Sequence, residues 1–440
     1  MASRKIEPAN SLRILDTRLH ADPSRVVLRP FHLGWQAKNA PGGRAQKLVE
    51  DVLALPEERV VAEYAKVLQD FDERHWQIEK MFEERFCEVE EALDLHDHDL
   101  SPARRQLIGA YFCHEYTYAA AALMNPSIVP HPDESGSPGG SLRFVMSLRA
   151  VGEGHISSIA FREGIVHPDG EFELWPQSAF ATSVQLDDQA KFDCQECVSV
   201  HRHADSSLSN TVIFPITEQQ SNGLEDLRLV RFDHGTRDGG SDFEWIGTYT
   251  AYSGRSIRSE LLRTRDFSTF ILEPMFGAAA RNKGMALFPE KIGGKYAMIG
   301  RQDGKNLFLL TSDRLDQWDD EGTLLMEPQF PWEFIQIGNC GSPIRTDAGW
   351  LVFLHGVGAM RKYALGAALL DLDDPSKVIA RASEPVLTAI DADRSGYVPN
   401  VVYTCGALKV GDRLLIPYGI SDSAVGFATV TIADLLALLS

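Results

Sequence analysis

Residues 341–378, GSPIRTDAGWLVFLHGVGAMRKYALGAALLDLDDPSKV, decide how this chain is read. A turn at residues 347–349 leads into an apolar run, WLVFLHGV, and a further run, YALGAALL, is rich in small residues. Short apolar runs punctuated by Gly and Asp read as strands, and a glycine-centred turn between two of them reads as a hairpin. The same unit recurs on both sides. Upstream it appears as SLRFVMSLRAVGEGHISSIAFREG, as EDLRLVRF with FEWIGTYTAYSGRSIRSELLRTRDFSTF, and as KGMALFPEKIGGKYAMIGRQDGKNLFLLTSDRLDQW. Downstream it returns as VPNVVYTCGALKVGDRLLIPYGISDSAVGFATVTIADLL, and glycine turns recur at 293–294 and 411–412.

Repeats of roughly 45–60 residues built from short antiparallel strands argue for propeller blades. Five copies fit from residue 121 to residue 440, so the expected fold is an all-β five-bladed β-propeller. A β-sandwich would leave the repetition unexplained. In a propeller the first strand of each blade lines a central channel, and the side chains at its end converge on one funnel. Chemistry is expected there.

Residues 1–120 read differently, as an α-helical N-terminal extension. Residues 1–40 show little periodicity. From about residue 45 to 95 apolar residues recur at three- and four-residue steps among many charges, as in VVAEYAKVLQDFDERHWQIEKMFEERFCEVEEAL. Ser101 is a good N-cap with Pro102 at the first helical position, and this helix is expected to run through ARRQLIGAYFCHEYTYAAAAL. An apolar face carrying Trp76, Phe82 and Phe86 must be covered. The extension is therefore expected to pack on the main body, to mediate homo-oligomer formation, or to close over the propeller mouth.

The formal charge of −19 over 440 residues disfavours nucleic acid and anionic membranes as partners. No apolar run is long enough to span a bilayer, the first fifteen residues lack a secretory apolar region, and the protein reads as cytoplasmic. The six cysteines do not resemble a disulfide framework. Cys194 and Cys197, followed by His201 and His203, are cramped and lack a second CxxC. They read as strand and loop, and no metal site or cofactor is expected.

The repeats carry words that together resemble glycoside hydrolase family 130, the β-mannoside phosphorylases and their hydrolytic relatives. The words are NPSIV at 125–129, SLRA at 147–150, GLEDLRL at 223–229, YTAY at 249–252 and NKGMALFPEKIGGKYAMIGR at 282–301. They continue as GSPIRTDAGWLVFLHG at 341–356, YALGAALLDLDDPSKVI at 363–379, GYVPNVVYTCGAL and IPYGISDSAVGFA. The likeness spans about residues 120–440. Leu227 stands where the family's acidic word has proline, and NCGSP replaces a Pro-rich stretch, which marks a divergent subgroup.

The resemblance implies an inverting phosphorylase that cleaves β-mannosides with inorganic phosphate as co-substrate, releasing α-mannose 1-phosphate. Asp226 matches the catalytic acid, which would deliver its proton through a substrate hydroxyl. Phosphate would attack the opposite face of the sugar, so no protein base is needed. Lys283, Arg301 and Arg345 match the phosphate-binding cations, Lys283 where arginine is common, and His355 and Tyr363 match the accompanying polar pair. Asn125, Arg149, Glu225, Tyr252 and Asp422 would bind sugar hydroxyls. The alternatives are an inverting β-mannoside hydrolase, with Glu290 or Glu333 activating water, and a non-catalytic carbohydrate-binding propeller.

Overall fold

The computed structural model describes residues 12–31, 43–135, 137–187, 196–237 and 240–440. They divide into two units. The first takes in the described residues up to Asp22, Ala119–Gln177 and Ser183–Ser440; the second is Pro23–Tyr118 with Ser178–Thr182.

The first unit is built almost wholly of antiparallel strands, and the 341–378 stretch shows why. Strands Gly349–Val357 and Tyr363–Leu370 pair from Trp350 opposite Leu370 to Val357 opposite Tyr363. Every residue of the former is buried, as is every residue of the latter except Tyr363. Successive side chains point to opposite faces of a strand. Trp350, Val352 and Leu354 accordingly share a core with Phe288, Ile299 and Ile337. Leu351 and Phe353 instead join Cys405, Leu414 and Ile416. Both faces are covered, which is why the run is apolar throughout rather than alternating. Truncating a side chain such as Leu351 to alanine would cost about 2–5 kcal/mol.

The same two-faced burial repeats along the unit. Val145, Ile159 and Phe161 pack with Leu229, Tyr249 and Leu262. Val230, Phe232 and Ile246 pack with Met285, Leu287 and Met298. A further core sets Ile128, Phe144 and Met146 against Leu415, Val425 and Phe427, so the last strands of the chain pack on the first strands of the 119–177 segment. The strands form sheets of twelve, four, six and five. In the twelve-stranded sheet, Ser157–Val166 and Gly223–Arg237 meet in parallel through one residue pair, Ser157 with Gly223, and antiparallel ladders lie on either side. The turns at 293–294, 347–349 and 411–412 join antiparallel partners, as in Val410 opposite Arg413.

Two N-terminal expectations are corrected. Arg13–His20 is a strand of the five-stranded sheet, paired with Ala424–Thr431 from Arg13 opposite Thr429 to His20 opposite Ala424. Its hydrogen-bond partners lie at the far end of the chain, so no local pattern announces it. The expected helix from Ser101 is also too long. Ser101 does cap it, its Oγ accepting from the Arg104 amide at 3.2 Å, but the helix Pro102–Tyr111 stops there. Cys113–Thr117 is a strand on Val26–Pro30, and Ala122–Pro130 is a strand of the twelve-stranded sheet.

In the second unit the 45–95 stretch forms three helices, Arg44–Leu53, Glu57–Phe71 and Ile78–Leu93. Phe86 is buried in that unit's own core with Val49, Val60, Leu107 and Ile108. Much of the apolar face is thus covered by neighbouring helices. No helix of the described residues is long and apolar enough to cross a membrane.

Candidate active site

Strand Gly223–Arg237 does not run straight. Its register against Gly240–Tyr252 shifts between Glu225 and Arg228, and Asp226 sits at φ 56°. Strand Ala122–Pro130 shifts between Met124 and Ser127, with Asn125 at φ 49°. Such bulges re-aim a side chain away from the ladder, and Asn and Asp tolerate the left-handed region better than most residues. Arg361 and Asp422 share this conformation, at φ 56° and 49°. Strained backbone of this kind collects at functional sites, and all four residues line one cavity.

That cavity, of about 160 Å³, brings together eight of the residues singled out from the sequence: Asn125, Arg149, Asp226, Lys283, Arg301, His355, Tyr363 and Asp422. Five cations line it, Arg149, Arg228, Lys283, Arg301 and Arg361, against the two carboxylates Asp226 and Asp422. A cationic pocket in a protein of charge −19 is costly unless an anion uses it.

One part of the lining is a carboxylate cluster. Asp226 Oδ1 accepts from Asn125 Nδ2 at 2.6 Å and from Arg149 Nη1 at 3.3 Å. Arg149 Nη2 donates to Glu225 Oε1 at 2.6 Å, and its Nε donates to Ser157 Oγ at 2.9 Å. Arg228 donates to the Asp226 carbonyl at 2.8 Å and to the Tyr403 hydroxyl at 2.5 Å. Burial would raise the Asp226 carboxyl, but Arg149, Arg228 and Lys283 outweigh it and hold it down at about 2. Asp422 moves the other way, up to about 6, through burial and then the nearby charge of Asp226. Carboxyls driven apart in this way mark acid–base sites.

Elsewhere in the lining Arg301 Nη1 faces His355 Nε2 at 3.4 Å. Among the described residues Arg301 has no carboxylate partner, and its buried Nε is unbonded. His355 is buried, with its ring against Tyr363 and Tyr403 at 5.8 and 4.9 Å between centroids. Burial, then Arg301 and Arg228, push its imidazole well below its usual range. A neutral ring can accept from Arg301 without adding charge. Gly338 makes room for it, since a Cβ there would stand 2.2 Å from His355 Cε1.

Three expected residues lie elsewhere. Arg345 does not line the cavity; it is exposed, pairs with Glu290 and lies over the Trp350 ring. Tyr252 also lies outside the lining, its hydroxyl 3.5 Å from the Gly254 carbonyl. Glu225 stands behind the wall, holding Arg149 and lying 3.9 Å from Lys283 Nζ. The carboxylates named for a hydrolase are occupied outside the lining. Glu290 pairs with Arg345, while Glu333 is buried, bonded to Arg381 at 2.7 Å and capping the Gln329 and Phe330 amides. Cys194 lies outside the described residues, and Val198–His201 is a strand.

Sequence reasoning missed Arg228, Tyr403, Asn339 and Arg361.

The family profile described as beta-1,4-mannooligosaccharide phosphorylase matches residues 156–440. The 1,2-beta-oligomannan phosphorylase of a Thermoanaerobacter species is 34% identical over 238 residues, covering 52% of this chain and 75% of that protein. The beta-1,2-mannobiose phosphorylase of Listeria innocua is 30% identical over 230 residues, covering 51% of this chain and 62% of that protein. In fold, the chain is similar to a glycosyl hydrolase from Bacteroides ovatus, with a TM-score of 0.51 at 20% identity over 72% of this chain and 86% of that one. With the profile match extending over well more than half its residues, the chain belongs to glycoside hydrolase family 130.

Proposed function

We propose that this protein is an inverting phosphorylase of β-mannosides, consuming inorganic phosphate and releasing α-mannose 1-phosphate. One observation carries the reading. Lys283, Arg301 and His355 line the same cavity as Asp226, and Arg301 has no carboxylate partner among the described residues. A phosphate dianion satisfies such a group through charge-assisted hydrogen bonds, each roughly twice as strong as a neutral one. The names of the similar phosphorylases support the substrate class.

The strands are read as a five-bladed propeller. Five cores between successive strand groups support this, the fifth setting the last strands against the first. The outermost strand of the last blade would then be Arg13–His20.

In this reading phosphate sits toward Arg301, His355 and Tyr363, and the mannosyl ring lies between it and Asp226. Inverting displacement needs an acid on the leaving oxygen and a nucleophile on the opposite face. Phosphate supplies the second. Asp226 supplies the first, through a hydroxyl of the sugar, while Asn125, Arg149 and Asp422 hold hydroxyls around it. The cations keep Asp226 ionised when no anion accompanies them. A phosphate dianion offsets part of that field, so its binding favours the protonated, donating form. Acid and nucleophile are thereby loaded together.

The test is product analysis on β-1,2- and β-1,4-manno-oligosaccharides with and without phosphate. α-Mannose 1-phosphate formed only with phosphate is expected. Free mannose released equally fast without phosphate would overturn the reading.

A further inference from the structure

An inverting displacement fixes where the leaving sugar must lie. Nucleophile and leaving group occupy opposite faces of the reacting carbon. If phosphate takes the Arg301–His355 part of the lining, the leaving sugar extends past Asp226, beyond the Arg149–Asp422 part. An exposed aromatic pair stands beside that part.

Tyr397 is 57% exposed. Its ring lies 5.9 Å from that of His155 at 35°, and its hydroxyl is 3.4 Å from His155 Nδ1. Both residues are tied to cavity residues through backbone. The Tyr397 amide donates to Ser423 Oγ at 2.6 Å and the Val398 amide to the Ser421 carbonyl at 3.0 Å, one on each side of Asp422. Gly396 permits this approach, because a Cβ there would stand 2.6 Å from the Ser421 carbonyl. His155, at φ 58°, lies in the turn between Leu142–Val151, which carries Arg149, and Ser157–Val166, whose Ser157 accepts from Arg149. The aromatic face is therefore carried on backbone tied to the cavity residues, and it is solvent-facing. A pyranose presents a face of C–H bonds that packs on such a ring, while its hydroxyls remain free for neighbouring polar groups.

We infer that Tyr397, braced by His155, is the stacking platform for the leaving sugar: it binds the pyranose ring of the acceptor-side mannoside and thereby sets preference for substrates that carry one. This rests on the proposed phosphorolysis only for which part of the cavity the leaving sugar occupies.

The experiment compares Tyr397→Ala and Tyr397→Phe. Turnover is measured with β-1,2-mannobiose and phosphate. Disaccharide binding is measured separately by calorimetry in an Asp226→Asn background without phosphate, where turnover is suppressed. Tyr397→Ala should raise the disaccharide KM and Kd about tenfold, as expected for loss of one aromatic contact. The phosphate KM should be unchanged, and Tyr397→Phe should restore both disaccharide values. In the reverse direction, with α-mannose 1-phosphate and mannose, only the mannose KM should rise. An unchanged Kd in the calorimetric arm, or equal weakening of phosphate and disaccharide, overturns the platform. If the parent enzyme turns over without phosphate while Tyr397→Ala still weakens the Kd, the platform stands and the phosphorolysis reading falls.

Discussion

Asp422→Asn should make this protein more stable, and the gain should depend on pH. The Asp422 carboxyl is raised from 3.8 to about 6, first by burial and then by the charge of Asp226, against the opposing pull of Arg149, Arg361 and Lys283. A folded-state value above the unfolded one means that folding favours the protonated form. The associated stability is fully present below about pH 4 and is lost as pH rises through about 6. The gap of about two units corresponds to about 3 kcal/mol at neutral pH and above, at about 1.4 kcal/mol per unit. An asparagine cannot ionise and keeps nearly the same shape. It should gain about 1 kcal/mol over the parent near pH 4.5 and about 3 kcal/mol near pH 8. Urea unfolding of parent and variant at the two pH values, at equal ionic strength, measures both numbers. The cost should appear in catalysis. Losing a charged hydrogen-bond partner for a sugar hydroxyl removes about 1.5–3 kcal/mol, or roughly ten- to a hundredfold in kcat/KM. An equal gain at both pH values, or a destabilised variant near pH 8, would refute the idea that a disfavoured carboxylate is kept at this position for function.

Asp226→Asn should fold and lose about 10²–10⁴-fold in turnover, the usual worth of general acid catalysis; near-parental rates in a folded variant would remove Asp226 from the mechanism. Arg301→Ala should raise the phosphate KM at least about tenfold. Arg345→Ala should leave it within about twofold, since an exposed pair is worth at most about 1 kcal/mol and lies outside the cavity; steady-state titration of phosphate separates the two. Deleting residues 1–22 removes strand Arg13–His20 and bares the edge of Ala424–Thr431, so the shortened chain should melt lower and associate, as read by light scattering. An unchanged mass and melting temperature would deny that strand a structural role.

The residues legible in advance were those whose partners are local or whose words are distinctive. Lys283, Arg301, His355 and Tyr363 sit in recognisable strand–turn units, and the cavity gathers them. The position of Arg345 outside the lining was not legible, because a three-residue strand, Ile344–Thr346, gives no periodicity from which to tell an inward from an outward side chain. Its charge is spent on Glu290, a partner 55 positions earlier. Arg228 was passed over because it looks like an ordinary polar position on a strand. Only the bulge at Asp226 and the Tyr403 hydroxyl, 175 positions away, reveal it as part of the wall.

By itself the sequence determined what local physics can encode. The spacing of apolar runs specified strands, glycine turns specified hairpins, Ser101 with Pro102 specified a helix start, and the recurrence of one unit specified a repeated β architecture. Tertiary structure decided everything that depends on residues meeting across the chain. It placed Arg13–His20 on the last strand, ended the fourth helix at Tyr111, and set the Asp226 and Asp422 carboxyls on opposite sides of their usual value. Strand pairing and buried electrostatics are interactions between distant segments. Their energies depend on distance and burial, and neither exists until the chain has folded.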